Sequence, residues 1–242
     1  MVKDLKYKRV LLKVSGEALM GNQGFGIDPE VVNRVAEQIK SVKELGAQIA
    51  IVVGGGNIFR GVQNCTKLGM PQAAADYVGM LATVMNCIYV SEILRNLGME
   101  TQVFTPFACS TFTELFSKDK AVKAMEEGKI VFCGGGTGHP YFSTDTGSAL
   151  RAIETGCDVL IKATKVDGVY DADPAKVPTA KKFDTISYEE VLDRKLGVMD
   201  LVAITLCRDN VMPLKVLSLN ESGVLLKACL GENVGTDVVP EK

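Results

Sequence analysis

Aromatic residues are scarce in this 242-residue chain, and tryptophan is absent. Aromatics make up 6% of the residues and the net charge is -2, so the chain lacks both the stacking platforms and the basic face that nucleic-acid binding needs. Histidine occurs once, as His139, and the seven cysteines form no CxxC pair. This composition argues against a transition-metal site and against a disulfide framework. We therefore expect reduced thiols and no nucleic-acid partner.

Long apolar runs are also missing. No uninterrupted stretch of about 18 uncharged apolar residues occurs, and the opening segment MVKDLKYKRV contains no apolar core. We expect neither membrane insertion nor secretion, and we predict a cytoplasmic protein. With 47% apolar and 23% charged residues, the composition is typical of a globular chain with a large core, in one domain or two closely joined lobes.

Glycine, in contrast, is concentrated where two predicted strands end. The strand Ile130 to Cys133 runs into glycines at positions 134, 135, 136 and 138, and the strand Ala47 to Val53 runs into GGGN. Glycine is used where the backbone must take positive φ or let a ligand approach closely. One such loop could be only a tight turn. Two of them could hold two phosphates.

A lysine stands at the end of each of two further predicted strands. Lys13 lies near the end of RVLLKV, and Lys162 follows the strand Asp158 to Ile161. A lysine in this position can simply extend its ammonium group out of the sheet to water. Beside two glycine loops, however, a pair of fixed positive charges suits phosphoryl transfer, in which negative charge is spread over the transferring group.

Two common nucleotide-binding motifs are excluded by single residues. Gly16 and Gly21 have the spacing of a Walker A loop, but Asn22 stands where that motif needs lysine. In GGGNIFRG, Phe59 occupies the position of the third glycine of a dinucleotide-binding loop. The chain therefore predicts neither a P-loop nor a dinucleotide site.

Helices alternate with the predicted strands. Asp28 and Pro29 open a helix that Gly46 ends, and the resulting β-α-β pattern predicts parallel strands with helices on both faces. The segment Ala73 to Leu97 reads as a helix too apolar for one core-facing stripe, which suggests packing against another subunit. We also expect a strand at Val224 to Cys229.

Several segments together resemble bacterial uridylate (UMP) kinases, within the amino-acid kinase family. These segments are KVSGEAL, GFGID, VVGGGNIFRG, AADYVGMLATVMN, GTGHPYFSTD, IKATKVDGVYDADPAK and LGVMDLVAITLCRDN. The resemblance implies a three-layer α/β/α sandwich with a mainly parallel central sheet. It also implies a single domain over residues 1–242, with an acceptor-binding lobe at about 1–160 and an ATP-binding lobe at about 161–242.

The implied reaction transfers the γ-phosphoryl group of ATP to UMP, with Mg²⁺ held through the nucleotide phosphates rather than by protein ligands of its own. By this resemblance the catalytic residues are Lys13, Lys162, Asp145 and Asp200. Those near ATP are Lys13, Val14, Ser15, Gly16, Gly56, Arg60, Thr164, Tyr170 and Asp173. Those near UMP are Gly55, Asp76, Thr137, Gly138, His139, Pro140, Tyr141, Phe142, Ser143 and Thr144.

The chain departs from the family pattern at three positions that border the expected acceptor site. His139 replaces an asparagine, Ser143 replaces a threonine, and Gln72 replaces a basic residue. These changes bear on affinity and fine specificity rather than on the reaction class. The family is typically hexameric and responds to GTP and UTP, so a homo-oligomer and these two effectors are expected partners.

Two other functions fit the same pattern. One is a kinase of this fold that acts on a carboxylate or carbamate. The other is a nucleotide-binding storage or regulatory protein that has lost turnover, although the presence of both lysines and Asp145 disfavours it.

Overall fold

The computed structural model describes residues 4–60 and 69–241. The strands in these residues are β1 (Arg9–Val14), β2 (Gln48–Val53), β3 (Thr101–Thr105), β4 (Glu114–Leu115), β5 (Ile130–Cys133), β6 (Val159–Ala163), β7 (Thr185–Ser187), β8 (Leu214–Leu217) and β9 (Thr236–Val239). The helices are α1 (Gly16–Leu19), α2 (Pro29–Lys43), α3 (Gln72–Asn96), α4 (Lys118–Glu126), α5 (Thr144–Glu154), α6 (Tyr188–Asp193), α7 (Leu201–Asp209) and α8 (Val224–Cys229).

The described strands form one nine-stranded sheet in the order β4-β3-β5-β2-β1-β6-β8-β9-β7. Its neighbouring strands pair in parallel, apart from the antiparallel pair of β8 and β9. Strand β1 lies near the middle, between β2 and β6. The carboxyl ends of these three strands therefore meet at one edge of the sheet, which is where ligands bind in open α/β folds.

Helices cover both faces of the sheet because successive side chains of a strand point to opposite faces. On β1, Val10, Leu12 and Val14 join a core that includes α2, α3 and α8. Leu11 joins the opposite core, with α4, α5, α6 and α7. The expected three-layer α/β/α sandwich with a mainly parallel sheet is confirmed.

The helix starts follow from local capping chemistry. The Asp28 carboxylate accepts a hydrogen bond from Glu30 N, and Pro29 occupies the first turn of α2. Ser143 caps α5 by accepting from the backbone N–H groups of Asp145 and Thr146. Each cap satisfies backbone donors that have no partner within the helix.

Helix α3 is the one helix in the described residues that is long and apolar enough, by length and composition, to cross a membrane. Half of the most apolar 18-residue stretch of this helix is buried within the fold. Its inner face packs on the sheet through Cys87, Val90 and Leu94. Packing on the sheet accounts for the apolar residues of that face, whereas the apolar residues of the outer face remain exposed.

The structure corrects the prediction for Val224 to Cys229, which is helix α8 and not a strand. Gly223 precedes it with a positive φ of 75°, and Val224, Leu225, Ala228 and Cys229 are buried, a helical spacing. A six-residue apolar run cannot be assigned from periodicity alone. Asp145 was also expected before α5, but it lies inside the first turn of that helix.

Candidate active site

The two predicted lysines are register partners on neighbouring parallel strands. Lys13 of β1 pairs with Lys162 of β6, two residues after the pair Leu11 and Leu160. Both leucines belong to the core on the α5 side of the sheet, so alternation places both lysine side chains on that same side. The side chains are only 8% and 13% exposed. Two ammonium groups are thus held side by side with little access to water.

Asp145 lies between the two lysines. Its Oδ1 is 2.7 Å from Lys13 Nζ, and its Oδ2 is 2.7 Å from Lys162 Nζ. Burial raises the pKa of Asp145, but the two lysines outweigh burial and hold that pKa below its usual value. Burial lowers the pKa of Lys162, and Asp145 offsets this only in part. The first turn of α5 therefore supplies the counter-charge for both strand-end lysines.

Asp200 lies at the start of α7 and joins that helix to α5. One of its oxygens accepts from Ala203 N, as a helix cap does, and from Thr146 Oγ1 at 2.9 Å. Its other oxygen accepts from Ser143 Oγ. Lys162 also donates to the carbonyl of Val198, in the loop before α7. Asp200 thus fixes the position of α5, and the loop before α7 supplies a further partner for Lys162.

The first glycine loop, residues 54–57 after β2, packs against the turn that follows β1. Ser15 caps the short helix α1, and a Cβ placed on Gly16 would lie 2.5 Å from Asn57 Oδ1 and 2.7 Å from Gly54 O. Any larger residue at position 16 would push the two segments apart. Arg60, just beyond this loop, pairs with Glu17 at 3.0 Å and donates to Gly56 O.

A cavity of about 330 Å³ lies between the two glycine loops and α3. Its lining includes these predicted acceptor-site residues: Gly55, Asp76, Thr137, Phe142, Ser143 and Thr144. Gly56, which was predicted to contact ATP, also lines it. Of the remaining loop residues, Tyr141 has a positive φ of 71° and donates its backbone N–H to Asp76 Oδ2 at 2.8 Å. Gly138, His139 and Pro140 continue the same loop outside the lining of the cavity.

A second cavity has a volume of about 550 Å³. It is lined by Lys162 and the predicted nucleotide residues Thr164, Tyr170 and Asp173, together with the loop 194–198. Val14 lies instead in a third cavity, next to Thr164 and the loop at Gly21. The structure thus places most predicted acceptor residues in one cavity and Lys162 with three predicted nucleotide residues in another.

Several polar groups near the site were not predicted. They are the side chains of Asn57, Thr83, Asn86 and Thr146 and the backbone carbonyl of Val198. The four polar side chains are buried: Asn57 is 1% exposed, Asn86 0%, Thr83 4% and Thr146 4%. The available signal was a threonine and an asparagine within the apolar helix α3, since buried polar groups need partners.

Known proteins match this chain over most of its length. The sequence model of the amino acid kinase family matches residues 8–218. A uridylate kinase from Paramagnetospirillum magneticum is 48% identical over 236 residues, which cover 98% of each chain.

Solved structures are similar over nearly the whole chain. The UMP kinase from Bacillus anthracis superposes with a TM-score of 0.94 at 36% identity, covering 98% of this chain and 97% of that one. The UMP kinase from Ureaplasma parvum gives 0.89 at 32% identity, covering 97% and 100%. Sequence and fold agree, and the chain belongs to the amino acid kinase family.

Proposed function

We propose that the protein is a UMP kinase, which transfers the γ-phosphoryl group of ATP to UMP and yields ADP and UDP. The observation that carries the proposal is the pair of buried lysines that Asp145 holds side by side at the ends of two neighbouring strands. The high identity to a uridylate kinase over 98% of both chains supports UMP as the acceptor.

The residues have separable roles in this reaction. UMP occupies the cavity at Asp76 and the loop 137–144, and ATP occupies the cavity at Thr164, Tyr170 and Asp173. Lys13 and Lys162 stabilise the negative charge that spreads over the transferring group. Because the attacking atom is a phosphate oxygen that is already ionised, no strong general base is needed. Residues 1–160 would carry the acceptor and residues 161–242 the ATP.

The acidic groups of the site fit a Mg²⁺ ion held mainly by the nucleotide phosphates. No cluster of three or more His, Cys, Asp or Glu side chains among the described residues could hold a metal. Mg²⁺ in kinases commonly keeps waters and takes only one or two carboxylates besides the phosphates. Asp145 and Asp200 are the carboxylates nearest the lysines, and a bound Mg²⁺ would supply charge neutralisation on the phosphates.

The proposed reaction is a step of pyrimidine nucleotide biosynthesis. The free cysteines support a reducing, cytoplasmic setting for it. The six cysteines in the described part of the chain are free thiols. Burial raises the pKa of Cys87 and Cys133 to about 12, which keeps both in the unreactive thiol form.

The outer face of α3 supports a homo-oligomer, for which the family resemblance suggests a hexamer. Tyr77, Leu81 and Met85 lie one turn apart and are 53%, 51% and 58% exposed. A contiguous apolar stripe of this kind marks an interaction surface. Light scattering on the eluted protein measures the mass directly, and GTP and UTP can be added to the kinetic assay as effectors.

A coupled assay of ADP release tests the function across UMP, CMP, dUMP, aspartate and acetylglutamate. We expect UMP to be by far the best acceptor. Turnover with aspartate or acetylglutamate instead would identify a carboxylate kinase. ATP binding without turnover of any acceptor would identify a nucleotide-binding regulatory protein.

A further inference from the structure

Helix α3 presents three polar side chains along the face that meets the active site. They are Asp76, Thr83 and Asn86, spaced seven and three residues apart, which places them on one side of a helix. Each contacts the backbone of an active-site loop: Asp76 and Thr83 bind the loop between β5 and α5, and Asn86 binds the loop after β2. Asp76 accepts from Tyr141 N, as described above, and belongs to the expected acceptor site, whereas Thr83 and Asn86 have no assigned role.

Thr83 holds the second glycine loop, residues 134–138 after β5. Its Oγ1 accepts a hydrogen bond of 2.8 Å from Gly135 N and donates one of 2.7 Å to Met80 O within α3. The side chain is almost fully buried, at 4% exposure. Gly135 takes a positive φ of 78°, and the following Gly136 and Thr137 line the acceptor cavity. The hydroxyl therefore fixes the loop one residue before the acceptor cavity, which Thr83 itself also lines.

Asn86 holds the first glycine loop together with Asn57. Asn86 Nδ2 donates to Gly54 O at 2.6 Å and to Asn57 Oδ1 at 2.7 Å, and Asn57 Nδ2 donates back to Asn86 Oδ1 at 3.1 Å and to Gly26 O at 2.9 Å. Both side chains are buried. This reciprocal amide pair joins α3, the first glycine loop and the loop before α2.

We propose that Thr83, Asn86 and Asn57 are positioning residues that hold both glycine loops in the geometry for phosphoryl transfer. The inference rests on the proposed function. Glycine loops have the greatest backbone freedom, so loops that bind phosphates need external anchors to keep their amides aligned before a ligand arrives. Apolar residues at positions 83 and 86 would pack α3 onto the sheet without polar groups in its core. The polar atoms of Thr83 and Asn86 bind the glycine loops instead.

The substitution Thr83→Val tests this directly, because valine keeps the shape and removes the hydroxyl. Thr155→Val is the matched control: Thr155 is buried, and its hydroxyl bonds to Arg151 O at the far end of α5, away from both loops. We expect kcat/KM for UMP to fall about tenfold in Thr83→Val and less than twofold in the control. KM for ATP should stay within twofold in both variants, and Thr83→Ser should restore most of the activity.

A second arm compares Asn86→Leu with Gln38→Leu. Gln38 is also a buried amide that joins two backbone segments, since it donates to Leu219 O and accepts from Leu225 N. Both variants lose a buried amide, but only Asn86 touches a glycine loop. We expect kcat at saturating ATP and UMP to fall at least tenfold further in Asn86→Leu than in Gln38→Leu.

Equal kinetic losses in a variant and its control, or normal kinetics in Thr83→Val and Asn86→Leu, would overturn the proposal. So would loss of cooperative unfolding in these two variants alone, because it would assign them a purely structural role. Absence of UMP turnover in the unmodified protein would refute the proposed function instead. The comparison would then use ATP affinity by calorimetry, where Asn86→Leu should weaken binding about tenfold more than Gln38→Leu, and equal affinities would overturn it.

Discussion

Replacing Asp145 with asparagine should damage both turnover and stability while leaving nucleotide affinity nearly unchanged. The carboxylate is the shared partner of Lys13 and Lys162, at 2.7 Å from each, and its own side chain is 14% exposed. Asparagine keeps the size and one acceptor but removes the charge. Two buried ammonium groups on adjacent strands would then face each other without a counter-ion.

The expected size follows from that geometry. Removing one partner of a buried ion pair costs about 3 to 5 kcal/mol. Since Lys162 can lose its proton and so relieve part of the repulsion, we expect the free energy of unfolding to fall by about 3 kcal/mol at pH 7. The lysines would also be less well oriented for the transition state, so kcat should fall at least about a hundredfold.

Urea unfolding and coupled kinetics measure both effects. The matched control is Asp158→Asn, an exposed carboxylate at the other end of β6 that accepts from the backbone N–H groups of Lys8 and Arg9. The pKa of Asp145 lies below its ordinary value of 3.8. Its contribution to stability is therefore complete above pH 3.8 and is lost as the pH falls through the lowered pKa. The stability gap to Asp145→Asn should shrink in acid, and it should also narrow with rising pH where Lys162 of the folded variant has lost its proton.

Two results would refute this reasoning. If Asp145→Asn weakened ATP and UMP binding with kcat intact, the carboxylate would act as a ground-state contact. If the variant were as stable as the unmodified protein at pH 7, the two lysines would not need the counter-charge that the geometry assigns to Asp145.

Three further predictions concern the same site. Lys13→Ala and Lys162→Ala should each lower turnover at least about a hundredfold with the fold intact, and arginine should not rescue fully, because its planar fork differs from a point charge; near-normal turnover at saturating substrates would contradict the two-lysine mechanism. Because burial lowers the pKa of Lys162, kcat should decline with rising pH before the ordinary lysine value of 10.5, and Lys162→Arg should lose that decline, as a pH-rate profile would show. Asp76→Ala should reduce the preference for UMP over dUMP at least about fivefold with little change in melting temperature, since a ribose hydroxyl that loses its acceptor costs about 1 to 3 kcal/mol; an unchanged ratio of kcat/KM values would leave Asp76 only its bond to Tyr141.

The chemical groups of the site could be predicted from the sequence, but the way in which they come together could not. Strand-end lysines and glycine loops are visible as local patterns, so Lys13 and Lys162 could be paired as candidates. Their pairing in register depends on β6 lying beside β1, which is a tertiary choice that no local pattern encodes. The contact of Asp145 with both lysines depends further on where α5 begins. Such long-range relations were the part that could not be read in advance.

Helix α3 shows why composition alone was ambiguous. Its apolar residues serve two surfaces, the sheet-facing side with Cys87 and Val90 and the exposed side with Tyr77 and Leu81. Because both faces are apolar, the overall composition of the helix gives little sign of the polar residues that lie between them. Only when the loops are placed around the helix do Thr83 and Asn86 acquire partners outside it, and the residues that interrupt an apolar pattern prove to be the ones that bind the glycine loops.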